Sequence, residues 1–181
     1  MSRRRVGTAI AGLLLVAGCA TEGGGPPAPA AGGSAPATAA FRVADFAWSK
    51  APGKGQIEGQ FSYSPRGVTY SCANGPGVVL TPETAWVRSR MMILYRSADQ
   101  ATLPAADVRA RTPPERNQDY SQFARRATCD ATNHFQFAGL PDGAWFVITI
   151  AKPANPSAGQ ELAIMRRVTI KNGQTLKTRL P

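Results

Sequence analysis

The side chains with the most chemistry to offer lie between Cys129 and His134. Cys129, Asp130 and His134 bring a thiol, a carboxylate and an imidazole close together in the chain. Those types can serve as nucleophile, orienter and base in covalent catalysis. His134 is the only histidine, so a histidine-based zinc site lacks its further ligands, and neither a metal nor a cofactor is expected. His134 also alternates with Phe135 and Phe137, which places it on the face opposite theirs and makes a solvent-facing side chain the simpler reading. The chain has no Gly-x-Ser-x-Gly elbow, phosphate-binding loop or dinucleotide fingerprint. Asp107, Glu115 and Asp119 stand in a polar stretch where nothing pairs them as acid and base. A non-enzymatic chain is therefore expected. The other group of interest is Trp86, Arg88, Arg90 and Arg96. Read as a strand, Trp86 to Arg96 puts Val87, Met91, Ile93 and Tyr95 on one face and the three arginines with Trp86 on the other. Such a basic stripe suits an anionic glycan or a lipid head group. It also suits an exposed strand whose charges discourage edge-to-edge association.

At the N-terminus, Arg3, Arg4 and Arg5 precede an uncharged, largely apolar stretch from Val6 to Ala17. A membrane span takes about 20 apolar residues, so this pattern reads as a secretory signal to be left out of the fold. Leu15-Val16-Ala17-Gly18-Cys19 resembles the lipobox of bacterial lipoprotein precursors. The resemblance implies a signal peptide over residues 1–18, cleavage before Cys19 and acylation of its thiol. An ordinary signal peptide that contains a cysteine is the alternative. Two or more acyl chains anchor a protein stably, whereas one binds only marginally. Ala20 stands where an Asp tends to retain lipoproteins at the inner membrane, which favours the outer membrane facing the periplasm. The membrane, through lipid on Cys19, is then the first expected partner.

Of 181 residues, 21 are Lys or Arg and 11 are Asp or Glu, giving a net charge of +10. Loss of the three signal arginines leaves 18 against 11, a net +7. The charge is dispersed, with only pairs at Arg125-Arg126 and Arg166-Arg167 and no basic run of the kind that marks nucleic-acid arms. An anionic envelope polymer or a partner protein fits this surface better than nucleic acid, and a plain solvated surface fits it as well. If Cys19 carries lipid, Cys72 and Cys129 remain as an even pair, which in an oxidising compartment suggests a disulfide. Two buried free thiols satisfy the same composition.

Residues 19–40 are mostly Gly, Pro, Ala, Ser and Thr, which bury too little apolar surface to offset ordering entropy. They are expected to form a disordered tether. One domain follows over residues 41–181, opening with Phe41, Val43, Phe46 and Trp48. Ile57, Gly59, Phe61 and Tyr63 alternate with Gln56, Glu58, Gln60 and Ser62, the period of a half-buried strand. Val78 to Leu80, Trp86 to Arg96, Phe135 with Phe137, Trp145 to Ala151, Leu162 to Ile170 and Thr175 to Leu180 read as further strands. Asn172-Gly173 predicts a hairpin between the last two. The only helix suggested is a short one between Pro114 and Arg125, inside an excursion from the sheet over residues 101–124. About seven short strands predict an all-β fold, an antiparallel β-sandwich.

Three segments carry a resemblance: Gly55 to Gly59, Cys72 through Val78-Val79-Leu80-Thr81-Pro82-Glu83-Thr84, and Thr128 to Trp145 with its Asp130-Ala131-Thr132-Asn133-His134-Phe135-Gln136-Phe137-Ala138-Gly139-Leu140-Pro141-Asp142-Gly143 run. Together they resemble carboxypeptidase regulatory-like domains, which have a transthyretin-like sandwich related in architecture to immunoglobulin-like domains. Asn133 stands where that family usually has Gly, and Trp145 where it has Tyr. Asn tolerates the left-handed conformation that a turn needs. The resemblance implies an accessory, non-catalytic module. The expected function is a structural or binding role in the bacterial envelope, with a carbohydrate- or peptide-binding module or an accessory subunit of an envelope enzyme as the alternative.

Overall fold

The computed structural model describes residues 39–114 and 119–181. Nine strands and two α-helices follow in chain order. They are β1 (Gly55–Phe61), β2 (Tyr70–Ser71), β3 (Val78–Pro82), α1 (Ala85–Tyr95), β4 (Gln100–Pro104), α2 (Ala105–Ala110), β5 (Arg125–Ala127), β6 (His134–Leu140), β7 (Gly143–Pro153), β8 (Leu162–Ile170) and β9 (Thr175–Leu180). A small sheet has the order β6-β1-β9, and a large one the order β4-β8-β7-β3-β5 with β2 also on β7. The predicted β-sandwich is present, with more strands than the seven expected.

The two sheets pack their inner faces together. Ile57, Phe61, Phe135, Phe137 and Leu140 from the small sheet meet Leu80, Trp145, Val147, Ile164 and Ile170 from the large one. β7 alternates inside this core and does the same on its other face, where Phe146, Ile148 and Ile150 meet a second cluster. That second cluster contains Trp86, Val87, Met91, Leu94 and Tyr95 of α1, Val108 of α2, and Phe46 and Phe123 from short 3-10 turns. A strand buried on both faces reads as a continuous apolar run, and Ala144 to Ile148 reads that way. The molecule thus has three layers: small sheet, large sheet and a helical cover.

The helical cover corrects the strand expected over Trp86 to Arg96. Thr84 is the N-cap, its side-chain oxygen accepting from the Val87 N–H. Buried Trp86, Val87, Arg90, Met91, Leu94 and Tyr95 then recur at helical spacing. The helix ends at Arg96 in a left-handed conformation (φ 58°), with its N–H donating to the Met92 carbonyl. The expected excursion over 101–124 is also corrected at its start. Residues 100–104 form β4, an edge strand on β8, and α2 follows at once. Glu115 and most of the helix suggested after Pro114 lie outside the described residues or in coil, with only a 3-10 turn at Ser121–Phe123.

β8 and β9 do not form the expected hairpin. Asn172 (φ 54°) and Gly173 (φ 62°) do make a tight left-handed turn. The Asp142 carboxylate holds it by accepting both of their backbone N–H groups. However, β9 leaves the large sheet and runs parallel to β1, so the turn joins two sheets instead of closing a hairpin. It also makes the small sheet mixed, where a wholly antiparallel sandwich was expected.

Gly59 pairs with Phe135 across β1 and β6. A Cβ at Gly59 would lie 1.9 Å from the Phe135 ring. That ring is buried and sits edge-to-face with Phe137, so it has no free direction in which to swing. Gly59→Ala should therefore destabilise the protein by about 2 kcal/mol, the cost of overpacking a close-packed site. Urea denaturation would measure it, and an unchanged midpoint would show that the core yields there.

Candidate functional site

The outer face of the small sheet collects the polar halves of three alternating strands. Glu58 and Gln60 of β1 stand between His134 and Gln136 of β6 on one side and Lys177 and Arg179 of β9 on the other. The register puts Glu58 level with Gln136 and Lys177, and Gln60 level with His134 and Arg179. These residues line an open cleft of about 680 Å³, to which Thr128 and Asp130 contribute at the β6 end. Formal charge in it balances, with Glu58 and Asp130 against Lys177 and Arg179.

The β6 end is rigidly built. The Asp130 carboxylate accepts from the backbone N–H of Thr132 (2.8 Å), the Thr132 hydroxyl (2.7 Å) and the backbone N–H of His134 (2.9 Å). The Thr132 hydroxyl and the backbone N–H of His134 hold its carboxyl below the usual carboxylate range. The Thr132 hydroxyl is also 2.8 Å from Nδ1 of His134. Gln60 donates its side-chain N–H to the Thr132 carbonyl, which ties β1 to the same turn. His134 is open to solvent, with 57 % of its side chain exposed.

Other residues singled out from the sequence fall elsewhere. Cys19 and nearly all of the tether lie outside the described residues. Cys72 and Cys129 form a disulfide with Cα atoms 5.7 Å apart. The Cys129 sulfur is therefore not a free thiol beside His134, which removes the nucleophile from the Cys129–Asp130–His134 set. The basic stripe on Trp86, Arg88, Arg90 and Arg96 does not exist, because the segment is helical: Trp86 and Arg90 share its buried face, while Arg88 and Arg96 do not. Trp86 is buried in an aromatic cluster with Phe41 and Tyr120. Arg90 is buried too, its guanidinium 5.4 Å from the Trp86 ring centre and 5.5 Å from that of Tyr120. Arg88 is bonded to Glu83, and Arg96 caps the helix.

Glu83 binds two arginines, accepting 2.8 Å from Arg88 and 2.7 Å from Arg167. Burial pushes its carboxyl up, but the hydrogen bonds and charges of Arg167 and Arg88 outweigh burial and hold it below the usual range. A carboxyl lowered by folding adds stability above the range of an unfolded Glu, and loses it as pH falls through the folded value. Below about pH 5 the wild type should lose stability that Glu83→Gln does not have to lose. Urea midpoints over that range would show the two curves converging; a constant gap would remove Glu83 from the acid response.

The cleft was half visible in the sequence. The alternation marks Glu58, Gln60, His134 and Gln136 as outward-facing. What no local signal carries is the parallel pairing of β9 with β1, without which Lys177 and Arg179 do not join them.

The architecture places the chain among β-sandwich proteins. No protein-family model matches it, and no curated protein does. Among solved structures it is similar to a proposed carbohydrate-binding protein from Pseudomonas aeruginosa. The likeness has a TM-score of 0.54 and 21 % identity, over 77 % of this chain and 96 % of that one. At that identity the shared property is the fold.

Proposed function

We propose that this chain is a non-catalytic glycan-binding module, anchored to the bacterial envelope by lipid on Cys19, with the outer face of the small sheet as its binding surface. The observation that carries the reading is the cleft over β6, β1 and β9. Its amides, imidazole, carboxylates and cations alternate as donors and acceptors across three adjacent strands. Sugar hydroxyls do both, so such a grid can satisfy them in pairs. Balanced charge favours an uncharged glycan over the anionic polymer suggested by the chain's net charge. The fold shared with a proposed carbohydrate-binding protein also supports the reading. The disulfide removes the thiol that the Cys129–Asp130–His134 set would need as nucleophile.

The test is retention of the purified protein on peptidoglycan sacculi, lipopolysaccharide and immobilised neutral oligosaccharides, with the Gln136→Ala plus Lys177→Ala variant as control. Retention of the wild type and its loss in the variant is expected. No retention on any of the three sinks the glycan reading. Hydrolysis of a bound glycan that vanishes with His134→Ala would sink the non-catalytic one. For the anchor, growth with a labelled fatty acid should mark the wild type and leave Cys19→Ser unmarked; an unlabelled wild type would remove lipidation.

A further inference from the structure

We infer that His134 is the cleft's specificity residue, presenting an Nε2 lone pair that selects hydroxyl-donating, uncharged saccharides over acidic ones, and that Thr132 is the positioning residue that sets this tautomer. The ligand class rests on the glycan reading above; the tautomer stands on geometry alone.

A threonine hydroxyl has one hydrogen to give. At 2.7 Å from Asp130 Oδ1 it must give it there, because an ionised carboxylate only accepts. The same oxygen is 2.8 Å from His134 Nδ1. Two lone pairs would repel at that distance, so Nδ1 carries a hydrogen and donates it to Thr132. Asp130 Oδ2, 3.8 Å from Nδ1, favours the same arrangement. Which imidazole nitrogen is protonated is fixed by the hydrogen bond that one of them makes. In the neutral ring, Nε2 is then left as an acceptor.

This matters because of where the ring stands. His134 is on the solvent face of β6, level with Gln60 and Arg179, in a row that crosses about 10 Å from strand to strand. A ligand over this row meets an acceptor at His134 and a donor at Arg179. A saccharide hydroxyl can give its hydrogen to Nε2, and a neighbouring hydroxyl can accept from the guanidinium. A carboxylate has no hydrogen to give and would place its lone pairs against that of Nε2. Lys177 and Arg179 attract an acidic ligand, but Glu58 and Asp130 oppose them in the same cleft.

The chain's single histidine makes the experiment direct, since one set of imidazole nitrogen signals needs no assignment. Long-range ¹H–¹⁵N spectra of the purified protein, at a pH where the ring is neutral, should show Nδ1 protonated and Nε2 bare. Thr132→Val should move the ring toward the other tautomer, and Thr132→Ser should restore the first. A wild-type ring protonated on Nε2 overturns the inference, whatever the protein binds. The second arm measures binding of chitotetraose and tetragalacturonate. His134→Ala should weaken chitotetraose by about fivefold to tenfold, the loss of one hydrogen bond, and weaken tetragalacturonate by less, because its carboxylates cannot donate to Nε2 although its ring hydroxyls can. Chitotetraose binding that survives His134→Ala overturns the role of His134 and leaves the glycan function intact. Preference of the wild type for tetragalacturonate overturns the selection. If the tautomer is as inferred but neither sugar binds, the role of His134 in selecting saccharides falls, and the glycan reading is decided by the retention test on sacculi, lipopolysaccharide and neutral oligosaccharides.

Discussion

Replacing both Cys72 and Cys129 with Ala should lower the unfolding free energy by about 4 kcal/mol, the chain-entropy cost of releasing a loop of this length. The bond closes a sequence separation of 57 residues. Cys72 follows β2, an edge piece on β7, while Cys129 lies between β5 in the large sheet and β6 in the small one. The disulfide therefore pins the place where the chain leaves one sheet for the other. Both sulfurs are buried in the core between the sheets, so substitution also loses packing. The loss should appear in urea denaturation as a lower midpoint, and an excess of reductant on the unfolded wild type should reproduce it on refolding. A loss below about 1 kcal/mol would mean that the crossover is held by its hydrogen bonds and strand register alone.

Much of the fold follows from alternation. In β1, β6 and β7 apolar side chains alternate into the core, and between them Glu58 and Gln60 of β1 with His134 and Gln136 of β6 face outward and line the cleft. The α1 sequence fits two periods at once, because Val87, Met91 and Tyr95 are spaced both by even steps and by helical turns. Arg90 on the buried side then looks like a polar strand position, when its guanidinium is in fact covered by Trp86 and Tyr120. Thr84 after Pro82-Glu83 was the signal that a helix begins. For β9, Asn172-Gly173 makes the turn it promises, but turn chemistry fixes local geometry and not which sheet receives the next strand. Asp142, far away in the chain, holds that turn, and β1 receives β9. Half of the cleft depends on that long-range choice, which is why the β1 and β6 side was legible and the cationic β9 side was not.

Asn133→Ala should destabilise the protein by about 3 kcal/mol, from two independent losses. Asn133 has φ 63°, a left-handed conformation that costs an alanine roughly 1 kcal/mol. Its side-chain oxygen also accepts from the Ser71 hydroxyl (2.6 Å) and the Cys72 backbone N–H (3.1 Å). Those bonds cross from the turn before β6 to the end of β2, beside the disulfide, and an orphaned partly buried donor costs about 1–3 kcal/mol. Glycine at this position would meet the backbone requirement but leave the Cys72 N–H without its acceptor. Three variants separate the two terms. Asn133→Gly should lose only the side-chain part, Asn133→Asp should lose least because its carboxylate still accepts both bonds, and Asn133→Ala should lose most. Urea midpoints in that order would assign the residue to the crossover. Equal stability of Asn133→Gly and wild type would mean that the two bonds contribute nothing, and the disulfide would then hold this end of the sandwich by itself.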